Sequence, residues 1–186
     1  MRPIDSICLC LLACLMTCCK ARDNACSVAQ QYFFKRVDKI DLSQFYGLYI
    51  TLRGKNSDGS MRIRAIELRL ENGERIGIPG YEFDVKEASP DVFSNIIKFA
   101  KHFGQKEEDA MSFCIEYCRK MTKIVNKLRV QEIKSNLELG EFIIFRFSSD
   151  CALVYKKKNA NVKNSKWQSV FSDKNKISEQ WYFLKF

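Results

Sequence analysis

The sequence predicts an α+β domain, stapled by disulfides, in which an antiparallel sheet of about six to seven strands packs on a central helical pair, with an N-terminal helix. Three observations carry that expectation. Apolar residues alternate along Tyr46 to Arg53, with Leu48, Ile50 and Leu52 on one side, as half-buried strands require. Between Pro90 and about Gln131 the apolar spacing changes to three and four, the helical period. Four cysteines, Cys26, Cys114, Cys118 and Cys151, follow an N-terminal targeting segment, and an even number reads as a bridging framework.

The targeting segment comes first. Arg2 precedes an uncharged run from Ile7 to Cys18, and Cys19-Lys20-Ala21 ends it with small residues at the −3 and −1 positions of a cleavage site. As a helix that run would span about 18 Å, too short for a bilayer core of about 30 Å. Residues 1–21 are therefore expected to be a signal peptide, and residues 22–186 a single secreted, extracellular domain. The chain carries a formal +9; the signal holds Arg2 and Lys20 against Asp5, which leaves +8 on the remainder.

The elements follow in order. Arg22 to Ile40 places Cys26, Ala29, Phe33, Val37 and Ile40 on one helical face. After the strand at Tyr46 to Arg53, the turn residues Asn56-Ser57-Asp58-Gly59 lead to a second strand, Met61 to Leu70. Its alternation slips at Ala65-Ile66, where a bulge is expected. Asn72-Gly73 marks a hairpin into a third strand, Arg75 to Lys86. Ser89-Pro90-Asp91 supplies a capping hydroxyl, a first-turn proline and an acid for a helix that Gly104 ends. A longer helix restarts at Lys106–Asp109, with apolar residues from Ala110 to Leu128 at spacings of three and four and Cys114 and Cys118 on one face. Strands are expected again at Phe142–Phe147, Ala152–Tyr155, Trp167–Phe171 and Trp181–Phe186.

Cys114 and Cys118 lie one helical turn apart, and a bridge between them would strain the helix. The expectation is that Cys26 pairs with one of them and Cys151 with the other.

The inventory of reactive groups argues against an enzyme and predicts no catalytic residues, no metal site and no cofactor. A single histidine, His102, sits in a helix between Lys101 and Phe103, and no G-x-S-x-G elbow is present to use it. Gly77-Ile78-Pro79-Gly80 lacks the lysine and hydroxyl of a phosphate loop. Glu107, Glu108 and Asp109 are explained by their place at a helix start. A secreted hydrolase with an unrecognised site stays as a second alternative.

Charge and aromatics carry the functional reading. Lys156, Lys157, Lys158, Lys163 and Lys166, with Asn159, Asn161 and Asn164 among them, are expected on the tip of an exposed hairpin. Such a finger suits an acidic extracellular protein, a glycosaminoglycan or an anionic lipid surface. Nucleic acid is not expected for a secreted chain without an aromatic-basic RNA motif. Phe145, Tyr155, Trp167 and Trp181 are candidates to line a pocket for a small apolar ligand. The primary reading is a secreted non-enzymatic binding protein that engages an acidic partner or anionic surface through a basic face.

Two short pieces resemble parts of a secreted lipocalin. Phe45-Tyr46-Gly47-Leu48-Tyr49 is similar to the entry to the first lipocalin strand, with Tyr49 where Trp is usual. Asp150-Cys151-Ala152-Leu153-Val154-Tyr155 resembles the cysteine-bearing late strand of arthropod lipocalins. The resemblance covers barely a dozen residues, and the helical stretch from Pro90 to about Gln131 departs from it. It implies, as the alternative function, a barrel-like carrier of a small apolar ligand.

Overall fold

The computed structural model describes residues 26–80 and 89–186; the expected signal segment 1–21 and the later part of the expected third strand lie outside them. Helix α1 spans 26–37. After a 3-10 turn at Leu42–Phe45 come strands β1 (Leu48–Lys55), β2 (Met61–Arg69) and β3 (Arg75–Pro79). Helices α2 (Pro90–His102) and α3 (Ala110–Leu128) follow, then β4 (Glu132–Ser135), β5 (Phe142–Arg146) and β6 (Cys151–Lys156). The short helix α4 (Ser165–Val170) and strand β7 (Trp181–Lys185) complete the chain.

The strands form one seven-stranded sheet in the order β3-β2-β1-β4-β5-β6-β7, and every pairing is antiparallel. The α+β class and the predicted strand number therefore hold. Among the described residues β3 and β7 stand at the two ends of the sheet order and do not pair, whereas the lipocalin-like alternative implies a closed barrel.

Local chemistry places the elements where the sequence puts them. At the β2–β3 hairpin Gly73 N donates to Leu70 O at 3.1 Å, and Glu74 N donates to Asn72 Oδ1 at 3.0 Å. Ser89 Oγ accepts from Val92 N at 3.4 Å at the start of α2. At its far end Gly104 N donates to Lys101 O and Gln105 N to Ala100 O, each at 3.0 Å, which satisfies two carbonyls of the last turn.

The helical pair α2–α3 covers one half of the sheet and α1 the other, on the same face. Ile96, Phe99, Cys114, Met121 and Val125 join Ile63, Ile66, Ile78 and Ile133 in one buried cluster. Phe33 of α1 reaches the far half of that cluster, with ring centroids 4.9 Å from Phe145 and 5.5 Å from both Phe147 and Trp181. Among the described residues, the opposite face is covered only beyond β5. There Trp167, Val170 and Phe171 of the α4 region pack on Phe142, Ile144, Val154 and Tyr182.

That second layer corrects one expectation. Trp167–Phe171 is not a strand: Ser165–Val170 is helical, with Asn164 Oδ1 accepting from Lys166 N at 3.0 Å. Trp167, Val170 and Phe171 stand at spacings of three and four, so helix formation puts all three rings and branches on one side. Strand β4 was not expected. Its four residues bury only Ile133 and Ser135, too little for a periodic signal. Ser135 earns its burial by bonding: its hydroxyl accepts from Gly47 N at 3.2 Å and donates to Phe142 O at 2.8 Å. It is the one buried polar residue among those described.

The disulfide expectation is also corrected. Cys26 bonds to Cys151, with Cα atoms 6.4 Å apart, and Cys114 and Cys118 are buried free thiols. The layout explains the pairing. Cys118 lies over β3, its Sγ 3.3 Å from Pro79 O, whereas Cys151 begins β6. β3 and β6 stand five positions apart in the sheet order, about 24 Å at a strand spacing of about 4.8 Å. A disulfide needs Cα atoms within about 7 Å. Helix α1, lying over the β5–β7 half, brings Cys26 within that reach.

Helix α3 is tied to the end of β2 by Asn126. Its Oδ1 accepts from Met61 N at 2.6 Å, while its Nδ2 donates to Met61 O at 3.1 Å and to Thr122 O at 2.9 Å. Removing this amide leaves both Met61 backbone groups without their protein partner, so Asn126→Ala should cost about 1–3 kcal/mol in urea unfolding. An unchanged midpoint would show that the tie contributes nothing. Replacing Cys26 and Cys151 together by Ser should cost about 2–5 kcal/mol. Peptide mapping without reduction should yield a Cys26–Cys151 cross-link and two alkylatable thiols, and a cross-link from Cys26 to Cys114 or Cys118 would refute the pairing.

Candidate functional site

A cationic pocket lies where α3 crosses the end of the β1–β2 ribbon. Its construction begins with two irregularities in the β1–β2 pairing. Thr51 pairs with Ala65 and Leu52 with Ile63, which leaves Arg64 extra on β2; Gly54 then pairs with Arg62, which leaves Arg53 extra on β1. Strict alternation back from Leu68 and Ile66 would have turned Arg64 into the core. The bulge removes that charge from the interior and turns Ile63 inward instead, where it is 2% exposed. The expected slip lies one residue from where the sequence puts it, and a second one on β1 compensates for it.

Gly80 closes the same corner from β3. Its N donates to Arg64 O at 3.0 Å, and a Cβ there would meet Ile63 Cγ2 at 2.2 Å and Ile63 O at 2.8 Å. Only glycine lets the chain come this close to the bulged strand. The result is a pocket of about 580 Å³ lined by Arg53, Arg62, Arg119 and Lys123 around Ile63, Gly80, Ile115, Cys118 and Thr122. Among the described residues that line it, none is acidic.

The inner wall offers little polarity. Thr122 Oγ1 donates to Cys118 O at 2.8 Å, so that hydroxyl is already engaged by the helix. Cys118 Sγ–H donates to Pro79 O, and burial pushes its thiol up to about 12, so its sulfur stays uncharged. Arg62 Nε donates to Asn56 Oδ1, which orients the guanidinium from the β1–β2 turn. All four cationic side chains are exposed, so they form the mouth, with the apolar residues beneath.

Two other cavities have a different character. One of about 430 Å³ on the open face of the sheet holds Tyr49, Glu132 and Arg146, and its charges are matched internally: Arg146 Nη1 lies 3.4 Å from Glu132 Oε2. Another of about 460 Å³ near the β1–β2 turn includes Asp58 beside Lys55 and Arg129.

The structure does not gather the predicted lysines into a projecting finger. Residues 157–163 are laid along 139–141: Lys157 N donates to Glu141 O at 3.2 Å, Lys163 N donates to Leu139 O at 3.0 Å, and Val162 bridges Gly140. Gly140, at φ +140°, permits this contact, because a Cβ there would lie 2.7 Å from Asn161 O. Lys157 pairs with Glu141, Lys158 Nζ lies 3.3 Å from Glu179 Oε1, and Lys156 Nζ sits 5.4 Å from the Phe171 ring centre. Lys163 and Lys166 are exposed on either side of Asn164. Two of the five charges are thus offset by carboxylates, because the segment folds back onto acidic neighbours.

The predicted pocket lining is likewise divided. Phe145, Tyr155 and Trp181 share the helix-covered face, with Trp181 5.0 Å from Tyr155 and 5.9 Å from Phe145. Trp167 is on the other face, 4.8 Å from Phe142. Strand alternation separates these rings, and Phe33 fills the space beside Phe145. Phe145 is core and the other three are half-buried against it, on two opposite faces of the sheet, so the four line no common cavity. Sequence reasoning missed Arg53, Arg62, Arg119 and Lys123 as a group, since they come from two strands and a helix; the slip in β2 was the one signal near them. His102 is exposed at the end of α2, its ring 5.3 Å from that of Phe103. Among the described residues no group of three or more His, Cys, Asp or Glu could hold a metal ion, and no helix is long and apolar enough to cross a membrane.

A comparison of the chain with protein-family models finds no match, and searches of curated proteins and of solved structures likewise return no similar chain.

Burial raises both free thiols from an ordinary value of 9.0, Cys114 to about 11 and Cys118 to about 12. The folded state therefore keeps its protons where the unfolded state loses them. The stability from these groups is fully present below about pH 9 and is lost as pH rises through about 11 to 12. Alkylation by iodoacetamide should stay slow in the native protein at pH 9 and reach the rate of the urea-unfolded chain only near pH 11 or above. Equal rates for both states at pH 9 would contradict the burial.

Proposed function

We propose that this protein is a secreted, non-enzymatic binding protein that receives an anionic partner at the cationic mouth between α3 and the β1–β2 ribbon. The observation that carries the reading is the pocket itself: Arg62 and Lys123 are exposed at it beside Arg53 and Arg119, and none of the described residues that line it is acidic. Positive potential inside a concave, low-dielectric wall is stronger than on a flat surface, and it draws anions from solution. The basic-face reading thus moves from the lysines of 156–166 to the mouth between α3 and the β1–β2 ribbon, where Arg62 and Lys123 are exposed.

The extracellular placement is supported by the Cys26–Cys151 disulfide, which suits an oxidising compartment, and by the signal-like residues 1–21. The non-enzymatic part rests on the chemistry at the mouth. Guanidinium and ammonium groups hold an anion, but the pocket supplies neither an ionised nucleophile nor a general base, since its thiol stays protonated.

The test is calorimetric titration with a heparin-derived tetrasaccharide as a generic polyanion, at low and at physiological salt. Binding should weaken as salt rises. Arg62→Glu with Lys123→Glu should weaken it by roughly tenfold or more, the equivalent of about 1.4 kcal/mol. Lys156→Glu, Lys157→Glu and Lys158→Glu together should change it by less than about threefold. The reverse pattern would return the site to the 156–166 segment, and no binding by the unaltered protein would remove the reading.

A further inference from the structure

Where the end of α3 meets α1, two arginines share one tyrosine ring. Arg36 Cζ lies 3.2 Å from the centre of the Tyr32 ring, and Arg129 Cζ lies 4.2 Å from the same centre. The two guanidinium carbons are therefore no more than 7.4 Å apart, the sum of those distances. Like charges that close repel each other unless an anion lies between them. Among the described residues no carboxylate bonds to either guanidinium.

The backbone builds this arrangement. Arg36 follows Tyr32 by four residues on α1, one helical turn, which sets its side chain beside the ring. Arg129 caps α3 in the left-handed conformation, at φ 55°, a position that favours glycine. The arginine gives up that ease, and its side chain is the one that crosses to α1. Stacking on a ring occupies the flat face of a guanidinium and leaves the N–H donors at its edge available. Of the five donors on each group, Arg36 uses one on Tyr32 O at 3.1 Å. Arg129 also lines the cavity of about 460 Å³ with Lys55, Gly59 and Ser60, so there is open space beside it. Asp58 lies in that cavity with its carboxylate accepting from Ser60 N at 2.9 Å.

We propose that Arg36 and Arg129 form a site for a tetrahedral oxyanion, the phosphate or sulfate ester group of a small molecule. It shares no residue with the mouth between α3 and the β1–β2 ribbon. A carboxylate has two coplanar oxygens, which a single guanidinium fork satisfies. A phosphate or sulfate ester directs three oxygens away from its ester bond and accepts from two forks at once. Hydrogen bonds of about 2.9 Å on each side, with the anion between them, span a gap of this size.

The test follows the arginine Nε–Hε signals of the nitrogen-15-labelled, disulfide-intact protein by NMR. The probes are methyl phosphate, methyl sulfate and acetate at a fixed ionic strength of about 0.15 M, where exposed charges are screened beyond about 8 Å. Saturable shifts of the Arg36 and Arg129 signals are expected, with at least one ester bound tenfold or more tighter than acetate. Arg36→Gln and Arg129→Gln should each weaken that ester at least fivefold. Arg129→Gly, which suits the left-handed cap, should do the same, and circular dichroism checks that each variant is folded. Arg62→Glu with Lys123→Glu should leave ester binding within threefold.

Methyl phosphate ahead of methyl sulfate by threefold or more assigns the group to a phosphate ester, and equal or reversed affinities assign it to a sulfate ester; both outcomes support the site. Acetate binding as tightly as the esters would overturn the tetrahedral assignment. Shifts that rise with concentration without saturating would show two solvated arginines and no site. Loss of ester binding in the Arg62 and Lys123 variant, with the Arg36 and Arg129 variants unaffected, would move the anion to the mouth, which sinks this proposal and leaves the proposed function standing.

Discussion

The cationic pocket depends on one side-chain tie, the amide of Asn126 bonded to both backbone groups of Met61. Met61 opens β2, and the strand at that end is bulged and exposed on its polar side. Packing of Ile63 and Ile66 alone would fix how far α3 lies from the sheet but would let the helix slide along it. A pair of hydrogen bonds with fixed geometry sets the register of helix against strand. Once that register is set, Arg119 and Lys123 of α3 stand opposite Arg53 and Arg62 of the ribbon. The glycine at position 80 then closes the corner at a distance no other residue allows.

The two halves of the molecule solve different packing problems. Over β2 and β3 the helices α2 and α3 bury aliphatic rows, with Phe99, Phe103, Phe113 and Tyr117 between them at ring separations of 5.1 to 5.7 Å. Over β5 to β7 the sheet is covered on both faces, by α1 on one and α4 on the other. That half carries the disulfide and the Phe33 ring cluster. Double coverage accounts for the continuous apolar run Phe142–Phe145, whose four residues are all buried. Among the described residues, the strands of the other half are covered on one face only, and they keep arginines and glutamates on the other.

Charge placement follows from the same division. Lys157 and Lys158 lie where the chain folds back onto Glu141 and Glu179, so a run of basic residues in the sequence becomes a set of local pairs. Such exposed pairs contribute little to stability, but they cancel much of the field the run would otherwise create. Arg53, Arg62, Arg119 and Lys123 are scattered in sequence and come together only in space. Adjacency along the chain is thus a poor guide to potential at the surface of this protein.

Periodicity and capping residues determined the elements whose burial is one-sided: the β1–β3 meander, the Ser89-capped α2, the long α3 and the hairpin at Asn72-Gly73. These are set by interactions within a few residues, so the local sequence contains the whole cause. It also determined that a charge could not follow strict alternation through β2, and hence that a bulge must occur near Ala65. Tertiary structure decided the rest. Trp167, Val170 and Phe171 fit either a short strand or a turn of helix, and only the exposed apolar face of β5–β7 selected the helix. β4 exists because β1 and β5 offer it ladder bonds, not because four residues with one inward isoleucine prefer to be extended. Which cysteines meet depended on where α1 lies across the sheet, a matter of Phe33 against Phe145 and Trp181, more than a hundred residues away in sequence. The pocket belongs to the same class, since contacts between residues remote in sequence leave no periodic trace along the chain.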